Sequence, residues 1–172
     1  ALAVRQRNSG LRRGILDSDR AWREEIAETG TLLTQQRQAV AEKLAHELAR
    51  LAPALSDGLA GLEVVFRAGW DQKLSLFEAL ERNAESDSAQ GFTQVGPHRA
   101  DLRLMREGVL AADVLSRGQL KLALVALKLV QGVLIEEASS LPPLYLVDDL
   151  PAELDREHCA SCLLYTSPSP RD

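Results

Sequence analysis

The sequence predicts an α/β protein in which a helical lobe precedes a segment of mixed helices and strands. Apolar residues recur at steps of three, four or seven from Asp19 to Leu51, which is the spacing of an amphipathic helix. Residues Gly118 to Ala138 are almost continuously apolar, which is typical of a buried helix. A short apolar run, Leu144 to Val147, follows Pro142 and Pro143 and is typical of a buried strand.

Composition excludes some classes of protein. The chain has 172 residues, of which 45% are hydrophobic and 26% charged, as in ordinary globular proteins. The net charge of −5 argues against nucleic-acid binding through bulk positive charge, although a local basic patch stays open. The longest apolar stretch, Leu120 to Ile135, is interrupted by Lys121, Lys128 and Gln131. We therefore expect no membrane span and a cytoplasmic location.

Three regions are expected along the chain. Residues 1–60 form a helical arm, residues 61–161 form the mixed segment, and residues 162–172 form a tail foreign to the native protein. Gly30 permits a kink or break in the arm, and Pro53 followed by Gly58 marks the end of its long helix.

The mixed segment contains shorter predicted elements. Ser75 and Glu78 have capping-box spacing ahead of a short helix, and Glu107-Gly108 is predicted to turn one strand into the next. Glu85 to Gln90 is predicted to be a polar loop. The predicted strands are Leu62 to Phe66, Asp101 to Met105 and Val109 to Ala111.

Of the two cysteines, Cys162 begins the predicted foreign tail and Cys159 lies three residues before it. Cys159 and Cys162, beside His158, have the spacing of a redox pair or half a zinc site, but no second ligand pair exists in the sequence. Cys162 to Asp172 resembles translated sequencing-library adapter. We therefore expect this tail to be exposed and poorly ordered, with no disulfide or metal at the cysteines.

A turn with possible phosphate chemistry precedes the long apolar helix. In Leu115-Ser116-Arg117-Gly118-Gln119, Ser116 and Gln119 have capping-box spacing, and Gly118 lets backbone approach a ligand closely. A helix amino terminus presents unpaired N–H groups and the positive end of the helix dipole. The turn is either a well-capped helix start or a phosphate-binding turn.

Paired carboxylates follow the predicted buried strand. Asp148 is placed to bind Mg²⁺ beside a nucleotide, and Asp149 to polarise an attacking water as a general base. The alternative is two solvated acids in a loop. Ala152-Glu153-Leu154-Asp155 follows within a few residues.

In this order the segments resemble the ABC-type ATPase heads of the structural-maintenance and recombination families. The turn at Leu115 to Gln119 matches the signature motif, Leu144 to Asp149 the Walker B strand, and Ala152 to Asp155 the D-loop. Within that superfamily the chain resembles RecF, through Thr93 to Leu102 (Thr-Gln-Val-Gly-Pro-His-Arg-Ala-Asp-Leu) and Leu115 to Leu122. Asp149, the second aspartate of the pair, is a further point of resemblance to RecF, because most ABC-type heads carry Glu at that position.

The resemblance covers roughly Gln6 to Glu157 and implies the carboxy-terminal part of an ATPase head of the P-loop NTPase type, with an incomplete sheet and a preceding helical lobe. It implies ATP and Mg²⁺ as cofactors. Asp148 would bind Mg²⁺, and Asp149 would be the catalytic residue that orients water. The implied nucleotide-binding residues, which contact ATP across a homodimer, are Ser116, Arg117, Gly118, Gln119 and Asp155.

One departure from the family pattern concerns activity. No Gly-x-x-x-x-Gly-Lys-Ser/Thr phosphate loop occurs in the chain, which begins with Ala1 in the middle of a polar helical pattern. We therefore expect a carboxy-terminal fragment that hydrolyses no ATP alone, while its parent protein is an ATPase.

The resemblance also implies a role in DNA replication, recombinational repair and the SOS response. The parent would dimerise with ATP, bind DNA at gaps or single-strand/double-strand junctions, and help load recombinase with RecR and RecO partners. Two alternatives stay open: an ATPase head of another structural-maintenance or recombination family, and a non-enzymatic helical interaction module. His98 is either a structural residue or part of the family's machinery. Arg99 and Arg103 either contact phosphate or hold Asp101 in a salt bridge.

Overall fold

A computed structural model describes residues 2–146 of the chain. The predicted residues Asp148, Asp149 and Asp155, the two cysteines and the tail all lie outside the described residues. Two single-turn 3₁₀ helices, Asp57–Leu59 and Pro97–Arg99, accompany the main elements. Those elements are α1 (Leu2–Arg12), α2 (Asp19–Leu55), β1 (Leu62–Arg67), α3 (Leu76–Arg82), α4 (Ala84–Gln90), β2 (Asp101–Arg106), β3 (Val109–Leu110), α5 (Ala111–Val114) and α6 (Arg117–Ser139).

The chain divides into two compact units, each made of two stretches of sequence. Within the described residues, the first unit comprises residues 2–40 and 66–102, and the second comprises residues 41–65 and 103–146. Helix α2 contributes its first part to one unit and its last part to the other. The predicted division of the chain at residues 60 and 161 stays a prediction.

The core of the first unit is small. Ile26 of α2 packs with Leu76 and Leu80 of α3, and Trp22 and Trp70 cover this cluster. The apolar stripe of an amphipathic helix is expected to face such a cluster.

Helix α2 continues through Gly30 without a break and ends at Leu55 rather than at Leu51. A Cβ atom at Gly30 would lie 2.7 Å from Leu76 Cδ2 and 2.9 Å from Pro97 Cγ. The glycine thus permits close packing of α2 against its neighbours.

The second unit has the larger core, and α6 supplies much of it. Leu122, Ala126 and Val130 of α6 are buried against leucines of α2, such as Leu48. The predicted helix is confirmed, with bounds one residue wider at each end. The helix is not buried on all sides, however, because Leu124 is 51% exposed.

Helix α6 is also, among residues 2–146, the one helix long and apolar enough by composition to cross a membrane. Core helices pass the same test. Its buried side chains belong to the core of the second unit, which makes the resemblance to a membrane span weak.

The three strands form one sheet in the order β1-β2-β3. Strands β2 and β3 pair antiparallel, with Met105 opposite Leu110 and Arg106 opposite Val109. The connection is Glu107-Gly108, with φ of 51° and 78°, so both residues of this two-residue turn are left-handed. The predicted hairpin is confirmed.

The predicted polar loop at Glu85 to Gln90 is wrong, because these residues belong to helix α4. Asp87 of this helix is fully buried, and Gly91 ends the helix in the left-handed conformation. The local sequence is polar, but a tertiary contact to Asp87, described below, stabilises the helix.

Candidate nucleotide-binding site

The amino terminus of α6 carries the predicted signature residues. Ser116 has extended backbone, with φ −62° and ψ 161°, and its Oγ accepts a hydrogen bond from the Gln119 N–H at 3.3 Å. In return, Gln119 Oε1 accepts from the Ser116 N–H at 2.9 Å. The predicted capping box is therefore present, and it fixes where the helix begins.

The space in front of this helix end is open. Ser116, Arg117 and Gly118 are exposed, and a Cβ atom at Gly118 would meet no heavy atom within 4 Å. Because intrahelical bonds do not reach the first turn, the N–H groups of Arg117 and Gly118 are left for solvent or a ligand. The first turn also carries no acidic residue. These residues fit a phosphate group, which the helix dipole and the Arg117 guanidinium would attract.

The Gln119 side chain also lies close to Gly58. A Cβ atom at Gly58 would lie 2.6 Å from Gln119 Nε2, so a larger residue there would require the Gln119 side chain to shift. Arg106 Nη1 donates to Gly58 O at 2.9 Å, which ties the same turn to β2. The sequence marked Gly58 only as the end of a helix. No pattern in the sequence indicates its contact with the signature turn.

The segment that the sequence predicts as the Walker B strand is not a strand in the described residues. Leu144 and Leu146 are 86% and 90% exposed, and residues 142–146 have no regular structure. Tyr145 packs inward, where its hydroxyl donates to Leu129 O at 3.2 Å and lies against Gly132, and Pro143 also lies close to Gly132. A buried strand requires neighbouring strands on its edges, and none of the described strands pairs with this segment.

The predicted Mg²⁺ ligand Asp148, the catalytic Asp149 and the nucleotide-binding Asp155 all lie outside residues 2–146. Within that range, no group of three or more His, Cys, Asp or Glu side chains could hold a metal ion. The described part of the candidate site is therefore the amino terminus of α6.

The Thr93 to Leu102 segment is anchored in the first unit by a buried ion pair that sequence reasoning missed. Arg7 of α1 is fully buried and donates from Nη1 to Asp87 Oδ2 at 2.6 Å and to Thr93 Oγ1 at 2.9 Å. Its Nε donates to Asp19 Oδ1 at 2.8 Å. Asn8 Oδ1 accepts from the Thr93 N–H at 2.8 Å. The segment thus begins on a fixed polar cluster.

The rest of that segment forms a tight turn. The Gly96 N–H donates to Gly69 O at 3.0 Å, and Arg37 Nη1 donates to Pro97 O at 2.7 Å. His98 Nε2 lies 3.0 Å from Thr93 O, and its ring packs at Gly96. This geometry supports the structural interpretation of His98.

Comparisons with known proteins identify the resemblance independently. No family model matches the chain. Over 158 residues it is 46% identical to the DNA replication and repair protein RecF of Stutzerimonas stutzeri strain A1501. It is 44% identical over the same length to the protein of that name from Pseudomonas fluorescens strain Pf-5. These alignments cover 91% of this chain but 42% and 43% of the relatives.

Solved structures give the same result for the fold. The structure described as the recombination mediator protein RecF-ATP in the RecFOR pathway matches 99% of this chain with a TM-score of 0.80 and 26% identity. A RecF-ATPγS structure matches 89% with a TM-score of 0.77 and 27% identity. The match covers 52% and 44% of those chains. The recognised resemblance to RecF and the ABC-type ATPase-head fold class are confirmed.

Proposed function

We propose that this chain, which corresponds in sequence and fold to a part of RecF proteins, carries the signature half of the nucleotide site of a RecF-type DNA-repair ATPase. The observation that carries the proposal is the capped, open and acid-free amino terminus of α6 at Ser116. The chain spans about two fifths of the length of its curated relatives, so the activity of a complete protein is part of the proposal.

In this function the turn Leu115 to Gln119 binds the terminal phosphate of an ATP held by a second subunit. Ser116 keeps the helix start in place, the N–H groups of Arg117 and Gly118 donate to phosphate oxygens, and Arg117 adds a positive charge. Gln119 is held by the capping box, which stabilises the start of the helix.

The remaining chemistry comes from the carboxylates recognised in the sequence. Mg²⁺, when bound beside ATP, neutralises charge on the phosphates. Asp148 would be its ligand, Asp149 would accept a proton from the attacking water, and Asp155 would link the two sites of the dimer. Closure of the dimer by ATP would be the signal read by DNA and by RecR- and RecO-type partners during recombinase loading, in a cytoplasmic repair and SOS pathway.

A pair of isosteric substitutions separates phosphate binding from helix capping. Aspartate and asparagine are both strong helix caps, so Ser116→Asp and Ser116→Asn should both preserve α6. Only the aspartate places a negative charge where the phosphate must bind. Like-charge juxtaposition costs several kcal/mol, so about 3 kcal/mol weakens ATP-dependent association about 100-fold in the aspartate variant.

The measurement uses a chimera in which the 158 aligned residues of this chain replace the matching residues of the Stutzerimonas stutzeri relative, which supplies the remaining length. Light scattering with and without ATP reports dimerisation. Normal ATP-dependent dimerisation of the Ser116→Asp chimera would mean that Leu115 to Gln119 is only a helix cap. In the same chimera, Asp149→Asn should dimerise normally while phosphate release slows by about 100-fold.

A further inference from the structure

The 3₁₀ turn Asp57–Leu59 contacts α6 but has no role in the nucleotide site proposed above. The turn and the start of α6 both belong to the second unit. The turn begins at Ser56, whose Oγ accepts from the Gly58 N–H at 3.3 Å. Its middle residue, Gly58, is the one that lies beside Gln119 of the capping box.

The turn is anchored at points away from Gln119. Leu59 is fully buried in the core of the second unit, and its N–H donates to Ser56 O at 2.9 Å. Arg106, the last residue of β2, donates from Nη1 to Gly58 O at 2.9 Å. The position of Gly58 is therefore set by the core and by the sheet.

The capping box needs one orientation of the Gln119 side-chain amide. Gln119 Oε1 accepts from the Ser116 N–H at 2.9 Å, which the Nε2 atom, a donor, cannot do. Nε2 then lies on the side of Gly58, where a Cβ atom would approach to 2.6 Å. Gly58 does not have a positive φ, so its backbone also suits alanine. A Cβ atom there would displace the end of a flexible side chain rather than the backbone.

We propose that Gly58, held by Arg106, is a positioning residue for the nucleotide site. Glycine at this position leaves the space in which Gln119 completes the capping box. The capping box in turn directs the N–H groups of Arg117 and Gly118 toward a phosphate. Apparent affinity falls in proportion to the population of the binding-competent state, so a displaced Gln119 would weaken phosphate binding. The phosphate ligand rests on the proposed function, whereas the effect on the capping box does not.

The first test follows the Ser116 N–H in the whole chain. Exchange of this proton with water, measured by NMR, reports whether the hydrogen bond to Gln119 persists. Gly58→Ala should raise the exchange rate about 10-fold, as expected if the open fraction rises from about one tenth to nearly all. The Ser75 N–H is the internal control, because it donates to Glu78 Oε2 at 2.8 Å in an equivalent capping box of the first unit. Its exchange rate should stay unchanged.

The second test measures ATP-dependent dimerisation of the chimera by light scattering. Gly58→Ala should weaken dimerisation about 10-fold, because the same loss of the competent state applies to phosphate binding. Arg106→Met should act in the same direction, and Arg106→Lys, which keeps a charged donor, should restore most of the loss. The matched control Arg50→Met removes an exposed arginine of the second unit that pairs with Glu47, and should leave dimerisation unchanged.

A Gln119→Ala background decides whether Gly58 acts through Gln119. Gly58→Ala should cause no further loss of dimerisation there, since no side-chain amide remains to be displaced. A full additional loss in that background would overturn the proposal. So would an unchanged Ser116 exchange rate in the Gly58→Ala chain, or an equal acceleration at Ser75, which would indicate general destabilisation.

The positioning role and the proposed function can fail separately. Faster Ser116 exchange with unchanged dimerisation of the Gly58→Ala chimera would refute the positioning role and leave the Ser116→Asp result standing. Normal dimerisation of the Ser116→Asp chimera would refute the proposed function. The exchange rates of Ser116 and Ser75 would then still show whether Gly58 controls the capping box.

Discussion

The buried Arg7 provides the sharpest test of what holds the first unit together. Its side chain is fully buried between Asp87, also fully buried, and Asp19, which is 12% exposed. Arg7→Met removes the cation and leaves Asp87 with Gln94 as its remaining hydrogen-bond donor. Removing one partner of a buried ion pair typically costs about 3–5 kcal/mol, because the other charge stays buried without compensation.

A loss of that size is a large share of the about 5–15 kcal/mol that stabilises a whole domain. The assay is urea unfolding followed by tryptophan fluorescence. The chain has two tryptophans, Trp22 and Trp70, and both cover the core of the first unit. The fluorescence therefore reports on that unit, while circular dichroism reports on helices of both. Arg7→Met should shift the fluorescence transition strongly toward lower urea.

The double variant Arg7→Met/Asp87→Asn provides the control. Asparagine keeps an oxygen that can accept from the Gln94 N–H but carries no charge, so the double variant should recover part of the stability lost in the single one. A free energy of unfolding within about 1 kcal/mol of the parent chain for Arg7→Met would refute this reasoning. So would strictly additive effects of the two substitutions. Arg7 Nη2 has no hydrogen-bond partner among the described residues. Because this buried donor already destabilises the folded state, the loss of stability in Arg7→Met is expected at the lower end of the range.

Two further predictions concern single positions. Gly69→Ala should destabilise the first unit by more than about 2 kcal/mol, since its Cβ atom meets Gly96 O. Gly108→Ala, at φ +78° with nothing within 4 Å, should cost only about 1 kcal/mol in denaturant unfolding. Hydrogen bonds from the Ser75 hydroxyl and N–H hold the pKa of Glu78 below its usual 4.5. A lowered folded-state pKa contributes stability above 4.5 that is lost as pH falls through the lowered value. Glu78→Gln, which also completes a capping box, should remove this pH dependence from the unfolding midpoint, and an unchanged dependence would show that other groups cause it.

Sequence alone predicts those features that depend on neighbours within a few residues. Ser116 and Gln119 lie three apart, and the helix begins where that spacing requires. Ser75 and Glu78 repeat the pattern at α3. In the hairpin, Gly108 supplies a left-handed residue where the turn needs one. In each case the stabilising contact is local, so the spacing carries the information.

The sequence fails where the stabilising contact is distant along the chain. Asp87 lies 80 residues from Arg7, and no periodicity links an arginine in the first helix to an aspartate in a polar stretch. The same holds for Gly58 and Gln119, which lie close together although all three strands lie between them in the sequence. The pairing of Arg37 with the turn at Pro97, 60 residues away, is also invisible in the sequence. These contacts need the fold before they can be seen.

The last disagreement, at residues 142–146, has a different cause. Side chains there alternate as in a strand, since Tyr145 packs inward while Leu144 and Leu146 point outward and stay exposed. On α6, Leu124 is exposed in the same way, although its neighbours face the core. At about 25 cal/mol per Å² of apolar surface, full burial of a leucine contributes about 1.5–3 kcal/mol, so Leu144 and Leu146 forgo most of that amount and Leu124 about half of it. The apolar residues from Leu144 onward led to the prediction of a buried strand. A buried strand needs a neighbouring strand, and none of the described strands pairs with this segment. The relatives, more than twice as long, contain the additional chain that such cover would require.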